Sequence, residues 1–220
     1  MSHLLSSIIP LSIGAAFSPT VLAFTIVLLG GKKAPRARVA FMILGMFIVL
    51  VFIALTAGSV SQAAKSEGVK QFLKLLDIVF ALILFYLGVR SLIKKPSEGA
   101  SSSRLMGHNR SELGPVRFIP IGFAVMLTDI SSIVLFIPAI RDIGLSSVGT
   151  PDKILIAGIP FTAVLIPALV PLFADMIAPK TTGGAMKAIN TWLARHNRVV
   201  TGGVSFIFSA FLFWKGVWGS

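Results

Sequence analysis

Six long apolar segments, more than any other feature, limit what this chain can fold into. They cover approximately residues 4–29, 39–61, 72–93, 118–140, 153–174 and 199–218. A helix needs about 20 mainly apolar residues to cross about 30 Å of hydrocarbon, and each segment has about that length. Because a backbone in hydrocarbon must satisfy its own hydrogen bonds, such segments cross as helices. The sequence therefore predicts an all-α membrane protein with six transmembrane helices.

Composition agrees with insertion into a bilayer. Apolar residues make up 55% of the 220 residues, and only 13% are charged. A soluble domain with so few charges would leave most of its apolar side chains facing water. The net charge of +12 comes from basic residues in short loops beside the apolar segments, where topology and anionic headgroups require them. Nucleic-acid binding is therefore not expected.

The distribution of basic residues predicts the orientation of the chain. The loops at 30–38, 94–117 and 175–198, together with Arg90, hold 14 of the 20 Lys and Arg residues. Because cytoplasmic loops carry the excess of Lys and Arg, we expect a multi-pass protein of the cell membrane with both termini outside. Within the last of these loops, residues 185–198 have apolar side chains at helical spacing, which predicts an interfacial amphipathic helix. A loop with a few buried side chains is the alternative for that segment.

The two halves of the chain resemble each other. Residues 84–89 (LFYLGV) are similar to 212–217 (LFWKGV), and residues 13–16 (IGAA) are similar to 121–124 (IGFA). Three spans are an odd number, so the second half would enter the membrane from the opposite side. This predicts two inverted three-helix repeats, 1–93 and 118–220, joined by a cytoplasmic linker at 94–117. Such repeats surround the central site of many transporters; chance similarity among apolar segments is the alternative.

Polar residues occur at matching depths in the first span of each half. Pro19 lacks an N–H and clashes with the preceding turn, so the helix kinks or breaks there. Asp129 lies some ten residues into the fourth span, where a charge is costly. We predict broken helices in spans 1 and 4 that meet in a substrate or proton site. Its other members are the hydroxyl residues Ser18, Thr20, Thr128, Ser131 and Ser132. The alternative is that Asp129 only caps a broken helix.

Two further groups of residues bear on function. Basic residues at the predicted cytoplasmic helix ends are candidates for binding anionic headgroups, with a role in topology alone as the alternative. They are Lys32, Lys33, Arg36, Arg38, Arg90, Arg195 and Arg198. The chain has no cysteine and three histidines in termini and loops, so neither a metal site nor a cofactor is predicted. No catalytic set can be assembled at membrane depth, so an enzyme is not expected, and homo-oligomerisation is left open.

Four segments of the chain resemble the Gap/Sap family of peptidoglycolipid- and sulfolipid-addressing proteins, within the lysine-exporter (LysE) superfamily. They are 13–20 (IGAAFSPT), 127–129 (LTD), 135–139 (LFIPA) and 192–200 (WLARHNRVV). The resemblance implies six spans in two repeats and a role in carrying glycolipids or related lipids toward the outer surface. The leading prediction is therefore a lipid flippase or exporter that works by alternating access, with a membrane lipid as partner. The alternative is a LysE-like exporter of an amino acid or other small solute.

Overall fold

The computed structural model describes residues 2–31, 34–63, 67–93, 114–177 and 179–218, and this part of the chain contains helices and no strand. The all-α prediction is confirmed. A short 3-10 turn, Pro115–Phe118, precedes the fifth of the eight α-helices in the described ranges. The helices are α1 (Ser2–Ala15), α2 (Pro19–Leu29), α3 (Pro35–Ala63), α4 (Glu67–Ile93), α5 (Ile119–Thr128), α6 (Ile130–Leu145), α7 (Thr150–Ile177) and α8 (Pro179–Trp218).

Several of these helices are long and apolar enough to cross a bilayer, so this is a membrane protein. Three single helices qualify: Pro35–Ala57 within α3, Leu75–Ile93 within α4, and all of α7. Two bent helix pairs also qualify. The first consists of α1 and α2 and bends by 50°; the second consists of the 3-10 turn with α5, followed by α6, and bends by 80°. The described residues thus hold up to five spans. The sixth predicted segment holds the 17-residue apolar stretch Thr201–Val217, and the count of six stays a prediction.

The last helix is longer than any bilayer requires. It has 40 residues, which at 1.5 Å per residue is about 60 Å, roughly twice the hydrocarbon thickness. Residues 185–198, predicted as a separate amphipathic helix, are the middle of this one helix. Of the predicted linker, residues 94–113 lie outside the described part of the chain, and the division into 1–93 and 118–220 stays a prediction.

Helices α4 and α8 pack against each other in antiparallel directions. Leu92 lies against Gly202, where an added Cβ would be 3.0 Å from the leucine side chain. Nearer the start of α4, the carbonyl oxygen of Ala81 accepts a hydrogen bond of 2.8 Å from Ser209 Oγ on α8. As residue numbers fall on α4 they rise on α8, which defines the antiparallel direction.

Helices α3 and α5 touch through their backbones. A Cβ added at Gly45 would lie 2.0 Å from the carbonyl oxygen of Ile119, and one at Gly122 would lie 1.9 Å from that of Met42. No side chain fits in either place. Small residues allow such close approach between membrane helices, where van der Waals packing is a main source of association.

Candidate functional site

The first helix break lies between α1 and α2, and Pro19 starts the second of these helices. At the first helical position proline needs no N–H partner, and its fixed φ suits the helix. Ser18 is the N-cap: its Oγ accepts a hydrogen bond of 3.2 Å from the backbone N–H of Val21. Both local signals, the cap and the proline, favour a new helix starting here instead of a continuation of α1.

The proline leaves a carbonyl that needs a partner. In a continuous α-helix the carbonyl oxygen of Ala15 would accept from the N–H of residue 19, and Pro19 has none. Ser132 Oγ lies 3.0 Å from this oxygen and can donate to it. Leaving a buried carbonyl unsatisfied would cost about 1–3 kcal/mol. A side chain of the second bent pair therefore completes the break in the first, and the two breaks meet.

The second break is centred on Asp129, which lies between α5 and α6 with φ −86° and ψ 65°. Its side chain is buried. Ser131 Oγ donates to Oδ1 at 3.0 Å, and Ser132 Oγ lies 2.7 Å from Oδ2. The carboxylate makes no cap hydrogen bond to the N–H groups that start α6, all of which are described. The alternative of a purely capping aspartate is therefore wrong, because its partners are hydroxyl groups.

The hydroxyl of Ser132 is shared between the two breaks. It has a single proton and two acceptors within reach, Asp129 Oδ2 at 2.7 Å and the Ala15 carbonyl at 3.0 Å. An ionised carboxylate is the stronger acceptor, so it attracts the proton of Ser132. A protonated Asp129 can instead donate to Ser132 Oγ, which leaves the serine proton for Ala15. Only the hydrogen bond from Ser132 to the Ala15 carbonyl links the two bent pairs, because Asp129 and Ser132 both belong to the second pair.

The remaining predicted hydroxyls stand outside this contact. Thr128 Oγ1 bonds the carbonyl of Val125 at 2.9 Å in its own helix, and its side chain is exposed. Thr20 is also exposed. The structure therefore brings together Asp129, Ser131, Ser132 and the Ala15 carbonyl, with Ser18 buried at the adjacent cap.

Two of the predicted headgroup-binding residues have partners within the protein. Arg36 Nε lies 2.8 Å from Asp175 Oδ2, an exposed ion pair that joins the start of α3 to the end of α7. Arg38 is buried, and its guanidinium carbon lies 5.2 Å from the centroid of the Phe118 ring, within cation–π range. Its position in the interior differs from the surface position that headgroup binding requires.

The other basic candidates divide into two groups. Arg90 and Arg195 are exposed, so they stand where a headgroup could reach them. Lys32 and Lys33 lie outside the described residues, as does the side chain of Arg198. Headgroup binding by this set stays a prediction.

The sequence reasoning missed an ion-pair network that is buried at Asp77 and Arg141 and partly buried at Asp142 and Lys215. Arg141 on α6 forms two parallel hydrogen bonds to Asp77 on α4, at 2.8 and 2.7 Å. The adjacent Asp142 lies 3.2 Å from Arg141 and accepts from Ser7 Oγ at 2.7 Å and from Lys215 Nζ. The four charges sum to zero and link α4, α6 and α8, and Ser7 adds α1. The signal was present, because ionisable residues inside apolar segments are almost always paired.

A family model described as Sap, sulfolipid-1-addressing protein, matches residues 8–218. The chain belongs to the Sap family. The matched range includes both helix breaks of this Sap family protein. The predicted Gap/Sap membership is confirmed, while the wider lysine-exporter superfamily stays a prediction.

No match was found among curated proteins or among solved structures. Family membership and the long apolar helices together identify a membrane protein that takes part in lipid localisation.

Proposed function

We propose that this Sap family protein moves a phospho- or glycolipid across the membrane by alternating access around the meeting point of its two helix breaks. The observation that carries the proposal is the contact of Ser132 with both Asp129 and the Ala15 carbonyl. It forms a buried polar centre where the two helix breaks meet. The family name refers to a sulfolipid, which supports a lipid as the substrate class.

The packing of α4 on α8 supports the inverted repeat on which alternating access depends. Ser209 contacts Ala81, and these positions are 128 residues apart. The same separation relates the similar segments 84–89 and 212–217. Equivalent positions of two repeats meet when the two-fold axis that relates the repeats passes through the point where α4 and α8 cross. Exchange of conformation between two such halves would open the central site to each side in turn.

The polar centre offers hydroxyls and one carboxylate, which suit the hydroxyl groups of a glycosyl or glycerol headgroup. The acyl chains would stay in the bilayer beside the apolar spans. The Ser132 hydroxyl would donate to Asp129 when that carboxylate is ionised and to the Ala15 carbonyl when it is protonated. Protonation of Asp129 would thus be linked to the contact between the bent pairs. Proton coupling is therefore part of the proposal.

Transbilayer movement of a labelled lipid tests the proposal. Purified protein in phosphatidylcholine vesicles with a fluorescent phosphatidylglycerol should accelerate exchange between the leaflets. Asp129→Asn keeps the shape of the side chain and removes its charge, so we expect the rate to fall at least about tenfold, or 1.4 kcal/mol. Thr128→Val, which alters a hydroxyl outside the buried contact, is the matched control and should stay within about twofold.

An unaltered rate in Asp129→Asn would refute the site. The predicted alternative, a small-solute exporter, is tested in the same vesicles by efflux of radiolabelled lysine. Lysine efflux without lipid movement would refute the lipid proposal.

A further inference from the structure

A groove of about 580 Å³ lies between α1 and α7, within the size range of small-molecule sites. One wall is formed by a face of α1 that includes Ile9 and Ile13, and by Phe17 just after the end of that helix. The other wall is a face of α7 around Gly158 and Ile159. These apolar side chains are all exposed. Exposed apolar side chains on the helices of a membrane protein suit contact with acyl chains, which are as apolar as leucine.

The groove has a closed counterpart in the other half of the protein. In the proposed repeat, α5 corresponds to α1 and α3 corresponds to α7. The α3–α5 pair is shut by backbone contact, since a Cβ at Gly122 would lie 1.9 Å from the Met42 carbonyl oxygen. In the α1–α7 pair, a Cβ at Gly158 would meet no atom of the described residues within 4 Å. Helices of this kind can pack without a gap, so the open groove is a specific feature of α1 and α7.

A buried hydroxyl without a partner lines this groove. Ser12 is 3% exposed, and its Oγ has no hydrogen-bond partner among the residues that the structure describes. Thr162 lines the opposite wall and is exposed. A buried polar atom left unpaired is destabilising, and a ligand group at Ser12 would remove that cost.

The groove ends at the first helix break. Ala16 and Phe17, which line it, directly follow Ala15, the residue whose carbonyl contacts Ser132. None of the described residues that line the groove is charged, which disfavours an amino acid or an ion as occupant. An uncharged chain continuous with the bilayer fits both observations.

We infer that the groove binds one acyl chain of a membrane lipid and that the Ser12 hydroxyl binds a polar group of the same lipid. The inference rests on the proposed function, because it assigns the place where the transported lipid leaves or enters the bilayer. It adds a binding site that lies beside the polar centre and uses different residues.

Filling the groove tests the inference without disturbing the packing. Gly158→Leu places a side chain in open space, and Gly203→Leu on α8 is the matched control, since its Cβ also meets no described atom within 4 Å. The probe is phosphatidylglycerol with a photoreactive diazirine on one acyl chain, in vesicles of phosphatidylcholine. We expect labelling to concentrate on α1 and α7 peptides and to fall about tenfold or more in Gly158→Leu. Gly203→Leu should label like the wild type.

Ser12→Ala separates ligand binding from a structural role. Because the hydroxyl has no partner in the described protein, the variant should unfold at the wild-type temperature or higher. Labelling at the groove should nevertheless fall about fivefold through loss of one hydrogen bond. A lower unfolding temperature with unaltered labelling would overturn the role of Ser12.

The failure of this inference can be told from failure of the proposed function. Labelling spread evenly over all exposed helix faces, or unaffected by Gly158→Leu, would overturn the groove as a site even if lipid transport proceeds. The other outcome is that the wild-type protein is labelled at the groove, Gly158→Leu abolishes this labelling, and the wild type moves no lipid. That result would support the site and refute the transport function.

Discussion

Ser132→Ala removes the hydroxyl that lies between Asp129 Oδ2 and the Ala15 carbonyl oxygen, at 2.7 and 3.0 Å. Since the hydroxyl has one proton, the loss is that of one hydrogen bond plus an unsatisfied buried group, about 1–3 kcal/mol. Pro19→Ala supplies a backbone N–H that can serve the Ala15 carbonyl in place of Ser132. The serine should therefore matter less in that background.

A double-mutant cycle measures this coupling. The free energy of unfolding in detergent is determined for each single variant and for the double variant. We expect Ser132→Ala to cost about 1 kcal/mol less when residue 19 is alanine. Thr128→Val is the control, because its hydroxyl bonds within its own helix, and its cost should be equal in both backgrounds. An equal cost of Ser132→Ala in both would refute the account of how the breaks are joined.

Two further predictions concern packing and buried charge. Gly122→Ala should destabilise the protein by about 1–3 kcal/mol through overpacking on Met42. Gly158→Ala should be neutral or stabilising by up to about 1 kcal/mol. Thermal unfolding of the two variants compares these effects, and equal effects would contradict the packing. Arg141→Gln should cost about 3–5 kcal/mol because it leaves Asp77 buried and unpaired. The double variant Asp77→Asn with Arg141→Gln should recover most of that loss, and a larger loss in the double variant would contradict the pairing.

The local part of the site was predictable from sequence. Pro19 dictates a break because of its own covalent structure, and Ser18 before it is a favoured N-cap. Asp129 stood out because a carboxylate within an apolar segment is costly. These arguments need only neighbouring residues, and they locate both breaks.

The partners across the fold were not predictable from one sequence. Ser132 lies 117 residues from Ala15, and helical periodicity does not say which carbonyl a serine will face. Arg38 was expected at the surface, but the aromatic ring of Phe118 provides an interior place for its guanidinium. Arg141 lies one residue beyond the predicted fourth segment, 118–140. Its burial was not predictable, because the depth of a charge near the end of a span depends on how the helix is bent and where its counter-ion lies.

The most direct measurement of the central claim is the movement of a headgroup-labelled phosphatidylglycerol in vesicles that contain the wild-type protein. Dithionite added outside reduces only the label of the outer leaflet. If the protein moves lipid between the leaflets, protein-containing vesicles lose the inner-leaflet label as well, at a rate far above that of protein-free vesicles. If the inner label is protected as fully as in protein-free vesicles while the protein is folded and inserted, lipid transport by this protein is refuted.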